Sequence, residues 1–460
     1  MQMRYVGRSR TGARSDLLRL SMNSFIINGP GVLRGSISVP GDKSISHRAV
    51  ILGAIAQGRT MIKGLLESED VLSTVNALRN MGVKIDHHKE EGMLIEGVGL
   101  YGLKDPGQPL NMGNSGTAMR LMAGVLAGQS FPSTLVGDDS LSQRPMDRVV
   151  EPLLALGADI SVQNSGYPPI QIKPVNQLKG ADYVMPVASA QVKSAFLLAA
   201  LCADGASRVK EPEQTRDHTE RMLRGFGHTI SKQGDWIRVV GGKELVGAKV
   251  MVPGDLSSAA FFIVGAAITV ESQIILKNVG VNPTRTGVIE ILQKMGASID
   301  SLNQNTICGE PTADLMVNST PLRGVKIETH QVARAIDEFP ILSIAAACAR
   351  GITTLQGAEE LRVKESDRIR SIVSGLNGLG VSVEERPDGY SVTGGEILPG
   401  AVNCRSDHRI AMAFAIAGLV VSGSIIIKDT VNVRTSFPGF VELAASMGMR
   451  IKEQVGPHRG

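Results

Sequence analysis

The chain has 460 residues, 43% hydrophobic and 20% charged, long enough for two domains with a core in each. Its net charge of +4 is small for that length, which excludes a nucleic-acid coat but leaves basic side chains free to cluster around an anionic ligand. Four cysteines (Cys202, Cys308, Cys348 and Cys404) lie far apart with no CxxC, a pattern that suits a reducing compartment and offers neither a zinc site nor a disulfide framework.

Residues 1–22 form a basic arm, rich in Arg and Ser and almost free of acid, that reads either as an organelle transit segment or as a disordered tail. The first phrase with a fold signature is VPGDKSISHRAV, Val39 to Val50, where a Pro-Gly turn leads into a helix of small apolar residues. Five more such starts follow: NSGTAMRLMAGVLAGQ from Asn114, SAQVKSAFLLAALCADG from Ser189, GDLSSAAFFIVGAAITV from Gly254, DEFPILSIAAACARG from Asp337 and SDHRIAMAFAIAGLVVSG from Ser406. These helices are apolar on nearly every side, so each is expected in the middle of a domain. After each comes the pattern apolar-x-x-apolar-Gly-x-x-apolar, whose glycines Gly82, Gly157, Gly227, Gly296, Gly380 and Gly448 recur at intervals of about 70 residues. Each glycine predicts the left-handed end of an amphipathic helix. Stretches such as SQIILKNV and SIIIKDTV supply strands. The uncharged run Ile410 to Ile427 raises the question of a membrane span, but Ser422-Gly423-Ser424 divides it into a helix, a turn and a strand.

Six α/β units predict two domains of three units each. The phrase VPGD occurs at Val39 and again at Val252, about three repeat lengths apart, and marks two crossings between the domains. One domain is expected at 41–253 and the other at 23–40 plus 254–460. The second copy, VPGDLSSAAFF, lacks the charge of the first and is expected to face away from any ligand.

The polar turns at the helix starts are where chemistry is expected, because helix N-termini offer free N–H groups and the positive end of a dipole to an anion. They carry Lys43, Ser44 and Arg48; Asn114 to Thr117; Gln143-Arg144-Pro145; Ser189 to Lys193; Arg216 to Glu220; Lys364, Glu365 and Arg368; and Asp407-His408-Arg409. So many Arg and Lys residues fit a substrate with phosphate and carboxylate groups. Asp337 and Glu365 are acids within a basic set, able to exchange protons with such a substrate; Asp337 reads equally well as a helix N-cap. No GxxxxGK[ST] and no GxSxG is present. His87 and His88 read as a solvated strand edge, and the lone Trp236 leaves little for base stacking.

The phrases PGDKSISHR, GNSGTAMR, QRPMDR, SAQVKSAF, RVKESDR and DHRIAMAF, in that order between about Phe25 and Met449, closely resemble the 5-enolpyruvylshikimate-3-phosphate synthase family. The resemblance implies a two-domain fold of six βαβαββ units, three per domain, arranged as an inside-out α/β barrel. It implies transfer of the enolpyruvyl group of phosphoenolpyruvate to the 5-hydroxyl of shikimate 3-phosphate, by a cytoplasmic monomer without metal or organic cofactor and without nucleic-acid or membrane partners. GDKS, SAQVK, RDHTE and NPTR are similar to the marks of the second class of the family, which often tolerates the inhibitor glyphosate; some insensitive members carry Ala where this chain has Gly116.

Carried over by motif, Lys43, Ser44, Arg48, Ser189, Ala190, Gln191, Arg216, Asp337 and Lys364 would hold shikimate 3-phosphate. Lys43, Asn114, Gly116, Arg144, Gln191, Glu365, Arg368, His408 and Arg409 would surround phosphoenolpyruvate. Lys43, Asp337 and Glu365 would be catalytic. First-class members place another Lys before the Phe-Pro pair; here Thr435 and Ser436 precede Phe437-Pro438, with Arg434 as the nearest replacement. The sister transferase acting on UDP-N-acetylglucosamine is disfavoured, since no Cys precedes Cys202 and Ser44, not Asn, follows Lys43. A binding protein that lost its chemistry is disfavoured by the joint presence of Lys43, Asp337 and Glu365.

Overall fold

The computed structural model describes residues 23–88, 91–163 and 166–455. The basic arm read from residues 1–22 lies outside them. Two hydrophobic cores organise the chain, one drawn from residues between Ile45 and Val252, the other from Phe25 to Val39 together with Leu256 to Ile451.

Each core is threaded by three of the six small-residue helices: Lys43–Ile55, Gly116–Leu126 and Ala190–Ala200 in the first, Leu256–Ile268, Phe339–Ala347 and His408–Ala417 in the second. Small residues let these helices approach closely. A Cβ on Gly124 would stand 2.3 Å from the carbonyl oxygen of Ala195 on the neighbouring helix, so only glycine permits that contact. The six repeat glycines all have positive φ, between 79° and 106°, at the ends of the amphipathic helices, as their pattern predicts. The uncharged run near the C-terminus resolves into the His408–Ala417 helix and the strand Ser424–Lys428. Among the described residues no helix is long and apolar enough to cross a membrane.

Strands flank the helices in sheets, several of which share one pairing order. In one, Leu110–Asn111 runs parallel to Ser133–Val136, which pairs antiparallel with Ile170–Lys173, itself paired with Asp159–Ser161. The same order recurs from Asp182–Val184 through Ala206–Lys210 and Trp236–Val240 to Ile230–Gln233. Chain ends are exchanged between neighbours in this scheme. Arg34–Ile37 adds a parallel strand to Gln273–Gly280, whereas Lys249–Met251 adds one to Ala56–Lys63.

The chain therefore passes between the cores twice, and the two passages touch. Asp42 N donates to the Pro253 carbonyl at 2.8 Å and Asp255 N to the Pro40 carbonyl at 2.9 Å, a reciprocal pair between the two VPGD phrases. Both aspartates then cap helices: Asp42 accepts from Ile45 N at 2.9 Å and Asp255 from Ser257 N at 3.0 Å.

Candidate active site

All six central helices begin at one cavity of about 650 Å3 between the two cores. Side-chain caps hold most of these starts in place. Ser115 accepts from Ala118 N at 3.1 Å, Ser189 from Val192 N at 3.4 Å, and Asp407 from Arg409 N at 3.0 Å. The N-terminal ends of several dipoles thus face a common space, an arrangement that favours anions.

The cavity wall includes Lys43, Ser44, Asn114, Gly116, Arg144, Ser189, Ala190, Gln191, Arg216, Asp337, Lys364, Glu365, His408 and Arg409. Two other candidates, Arg48 and Arg368, lie behind it. Arg48 is buried and donates to Thr219 Oγ1 and Ser194 Oγ, both at 2.7 Å, and to the Ser44 carbonyl at 2.9 Å. It braces the first helix start against the third. Lys193 of SAQVK is likewise turned inward, paired with Glu220 at 2.8 Å and Glu211 at 3.2 Å.

Arg368, 1% exposed, bonds three carboxylates at once: Asp407 at 2.9 Å, Glu365 at 2.5 Å and Asp337 at 3.5 Å. One guanidinium therefore joins the two candidate proton-transfer groups. Each carboxylate also meets an arginine from the opposite core, Asp337 with Arg216 at 2.5 Å and Glu365 with Arg144 at 3.5 Å. A third pair across the cavity, Arg148–Glu360 at 2.5 Å, has the same polarity.

Burial alone would raise the Asp337 carboxyl, but Arg216, Arg409, Lys364 and Arg368 together hold it well below the usual carboxylate range. Glu365 is held down likewise by Arg368, Arg144 and Lys43 against the opposing effect of burial. Burial and the neighbouring Lys43 charge keep His408 far below its ordinary value, hence neutral. Both acids are thus ionised and cation-bound.

Asp337 is not the helix cap that its sequence context also allowed. Glu338 takes the cap position of Phe339–Ala347, which leaves the Asp337 side chain free to reach Arg216. The second VPGD turn departs from expectation too. Asp255 and Ser257 lie in the cavity wall, because the reciprocal pairing of the two crossings brings both turns to the same place. Arg434 faces Glu453 at 3.4 Å, is half-exposed, and does not line the cavity, so it supplies no replacement for the absent lysine. His87 follows its reading as a solvated strand residue and pairs with Glu67 at 3.1 Å.

Sequence reasoning missed Arg120, Asp70 and Arg285, all in the wall. Arg120 donates to Gln191 Oε1 at 2.7 Å while Gln191 donates to Thr117 Oγ1 at 2.8 Å. It stands one helical turn after Gly116 and so shares its face, a signal that was available. Asp70 pairs with Lys43, and nothing in its local sequence indicates that.

Such a cavity, ringed by cations and holding two bridged carboxylates, defines an acid–base enzyme acting on anionic substrates. The chain belongs to the EPSP synthase (3-phosphoshikimate 1-carboxyvinyltransferase) family, whose description matches residues 27–443. It is 55% identical to the 3-phosphoshikimate 1-carboxyvinyltransferase of Methylococcus capsulatus over 92% of this chain and 97% of that one. With the protein of the same name from Acidithiobacillus ferrooxidans the identity is 54%, over 94% and 99%. The solved structure of EPSP synthase from Acinetobacter baumannii superposes with a TM-score of 0.85 at 50% identity, covering 94% of this chain and all of that one.

Proposed function

We propose that the cavity carries out the family reaction with the residues named above: the enolpyruvyl group of phosphoenolpyruvate passes to the 5-hydroxyl of shikimate 3-phosphate, giving 5-enolpyruvylshikimate 3-phosphate and phosphate. The observation that carries the reading is Arg368, a buried guanidinium bridging Asp337 and Glu365.

Shikimate 3-phosphate is placed at Ser44, Ser189, Ala190, Gln191, Arg216 and Lys364, with Arg48 acting from behind by bracing the Ser44 backbone. Phosphoenolpyruvate is placed at Lys43, Asn114, Gly116, Arg144, Glu365, His408 and Arg409. As the two anions occupy Arg216 and Arg144, the cationic hold on Asp337 and Glu365 weakens and both carboxyls rise toward the range useful for proton transfer.

In the addition step, Asp337, assisted by Lys43, removes the proton of the 5-hydroxyl as its oxygen bonds to C2 of phosphoenolpyruvate. Glu365, which takes up a proton from solvent as the substrates bind and its carboxyl rises, delivers that proton to the methylene carbon. In the elimination step, Glu365 takes a proton back from the new methyl group, the C2–O bond to phosphate breaks, and the proton on Asp337 leaves with the phosphate. Both carboxyls return to their starting states. The cations stabilise charge that migrates to the leaving phosphate, commonly the largest contribution to such catalysis.

The two cores support a division into domains at 41–253 and at 23–40 plus 254–460, and the pairing order that recurs in several sheets supports βαβαββ units, three per domain, as in an inside-out α/β barrel. Assignment to the second class rests on the phrases GDKS, SAQVK, RDHTE and NPTR. A cytoplasmic monomer, with glyphosate competing at the phosphoenolpyruvate site beside Gly116, completes the reading.

The test is phosphate release by the full chain. Release is expected with both substrates together and with neither alone. Release from phosphoenolpyruvate alone, or none from the pair, overturns the assignment.

A further inference from the structure

Arg285 is 4% exposed, and its guanidinium meets side chains from three separate helix starts. It pairs with Asp42, the cap of the helix that opens with Lys43. It lies 3.2 Å from Asp255, the cap after the second crossing. Its other nitrogen donates to Ser257 Oγ at 2.6 Å and lies 3.7 Å from Glu338, the residue after Asp337. Ser257 in turn donates to Glu338.

The loop that presents Arg285 is itself held rigid. The Asn282 side-chain oxygen accepts from Thr284 N at 2.9 Å, while its amide nitrogen donates to Asp217 at 2.7 Å and Glu310 at 2.9 Å. Glu310 also bonds His218 Nδ1 at 2.8 Å. Asp217 and His218 come from the stretch that builds the first core, and Asn282, Arg285 and Glu310 from the stretch that builds the second. Residues of RDHTE and NPTR that the proposed chemistry does not use therefore bond to one another where the two crossings meet.

We propose that Arg285 is a positioning residue for the transfer: it ties the neighbour of Lys43 to the neighbour of Asp337 and so fixes the distance between groups that come from different cores. Buried ion clusters are often replaceable by apolar side chains without loss of stability, so stability alone does not account for one that joins three helix starts. An arginine suits the task because its planar fork bonds several oxygens in fixed directions, which a lysine does not.

The proposal rests on the functional reading above, and the test separates the two. In the full-length chain, Arg285→Met, Arg285→Lys and the charge-balanced pair Arg285→Met with Asp42→Asn are compared by steady-state kinetics and thermal unfolding. Expected for Arg285→Met is a kcat at least tenfold lower, with KM for each substrate within about threefold. The pair regains melting temperature but not kcat, and Arg285→Lys lies between. A loss confined to KM would make Arg285 a substrate ligand and overturn the proposal. So would an unchanged kcat in folded Arg285→Met, or recovery of kcat together with stability in the pair. If Arg285→Met does not fold, Arg285→Lys and the pair are read by the same split. An activity-independent measurement uses spin labels at the exposed positions Val246 and Ile352 in a Cys308→Ser background. A narrow distance distribution that broadens without Arg285 is expected, and identical distributions overturn the proposal even if the wild type shows no transfer activity.

Discussion

The two VPGD turns share a backbone and differ in what they do with it. Each aspartate caps a helix, each backbone N–H bonds the other turn, and both carboxylates face Arg285. After the first, Lys43 projects into the cavity against Asp70; after the second, Leu256 is 1% exposed in the hydrophobic core. Their caps differ too. Asp42 is lowered to about 2, because Arg285, His218, Arg216 and the Ile45 N–H outweigh its burial. Asp255 is raised to about 6 by burial and by the Asp42 charge beside it. Of two like turns, then, one turns a cation into the cavity and the other an apolar side chain into the core, and the two share a single arginine.

Exchanging the roles of these halves should fail in different ways. Lys43→Met removes a cation from the cavity wall, and under the proposed mechanism turnover is expected to fall by about 10³-fold, a size seen when one preorganised electrostatic group is lost. Asp70 then loses its partner, and stability drops by about 3 kcal/mol. Adding Asp70→Asn recovers that stability without recovering turnover. Activity assays beside urea unfolding of both variants check this, and a double variant that regains activity would show that Lys43 serves only to neutralise Asp70.

Leu256→Ala at the equivalent position of the second turn should do the converse. A buried leucine truncated to alanine costs about 3 kcal/mol. With the cavity cations untouched, kcat should stay within about threefold of the wild type. Urea titration and initial rates check it. A loss of turnover comparable to that of Lys43→Met would mean that the second turn is part of the chemistry.

The likeness between these turns was readable in the sequence, while their division of labour was only half readable. Periodic glycines and apolar helix starts are local signals, so the six helices and their ends follow from composition and spacing. The cavity was legible too, since helix N-termini are where polar residues interrupt apolar runs. What stayed hidden was side-chain direction. Arg48 and Arg144 look alike in sequence, yet Arg48 turns inward because Thr219 and Ser194 offer hydroxyls at 2.7 Å, whereas Arg144 is aimed by Asn114 at 2.6 Å and Glu365. Those partners are distant in the chain. Asp255 looked idle for the same reason, because its neighbours in space are Asp42 and Arg285, not its neighbours in sequence.

The smallest expected effect is also the one that separates the two caps most directly. Asp42 has a folded pKa of about 2 against an ordinary 3.8, so its charged form stabilises the fold above pH 4 and that contribution vanishes as pH falls toward 2. Asp42→Asn should therefore cost about 2 kcal/mol at pH 8, a difference that closes in acid. For Asp255, at about 6, the sign reverses. Its stabilising contribution is fully present below pH 4 and is lost as pH rises through 6, because burial and then the Asp42 charge oppose ionisation while Arg285 and Arg409 only partly offset them. At pH 8 Asp255→Asn should thus equal or exceed the wild type in stability, since Asn keeps an oxygen for the Ser257 N–H, and it should lose that advantage by pH 4. Urea midpoints for both variants at pH 8 and pH 4 decide the matter. If the two substitutions shift stability in the same direction at pH 8, Arg285 does not discriminate between the turns, and the asymmetry resides in Lys43 and Leu256 alone.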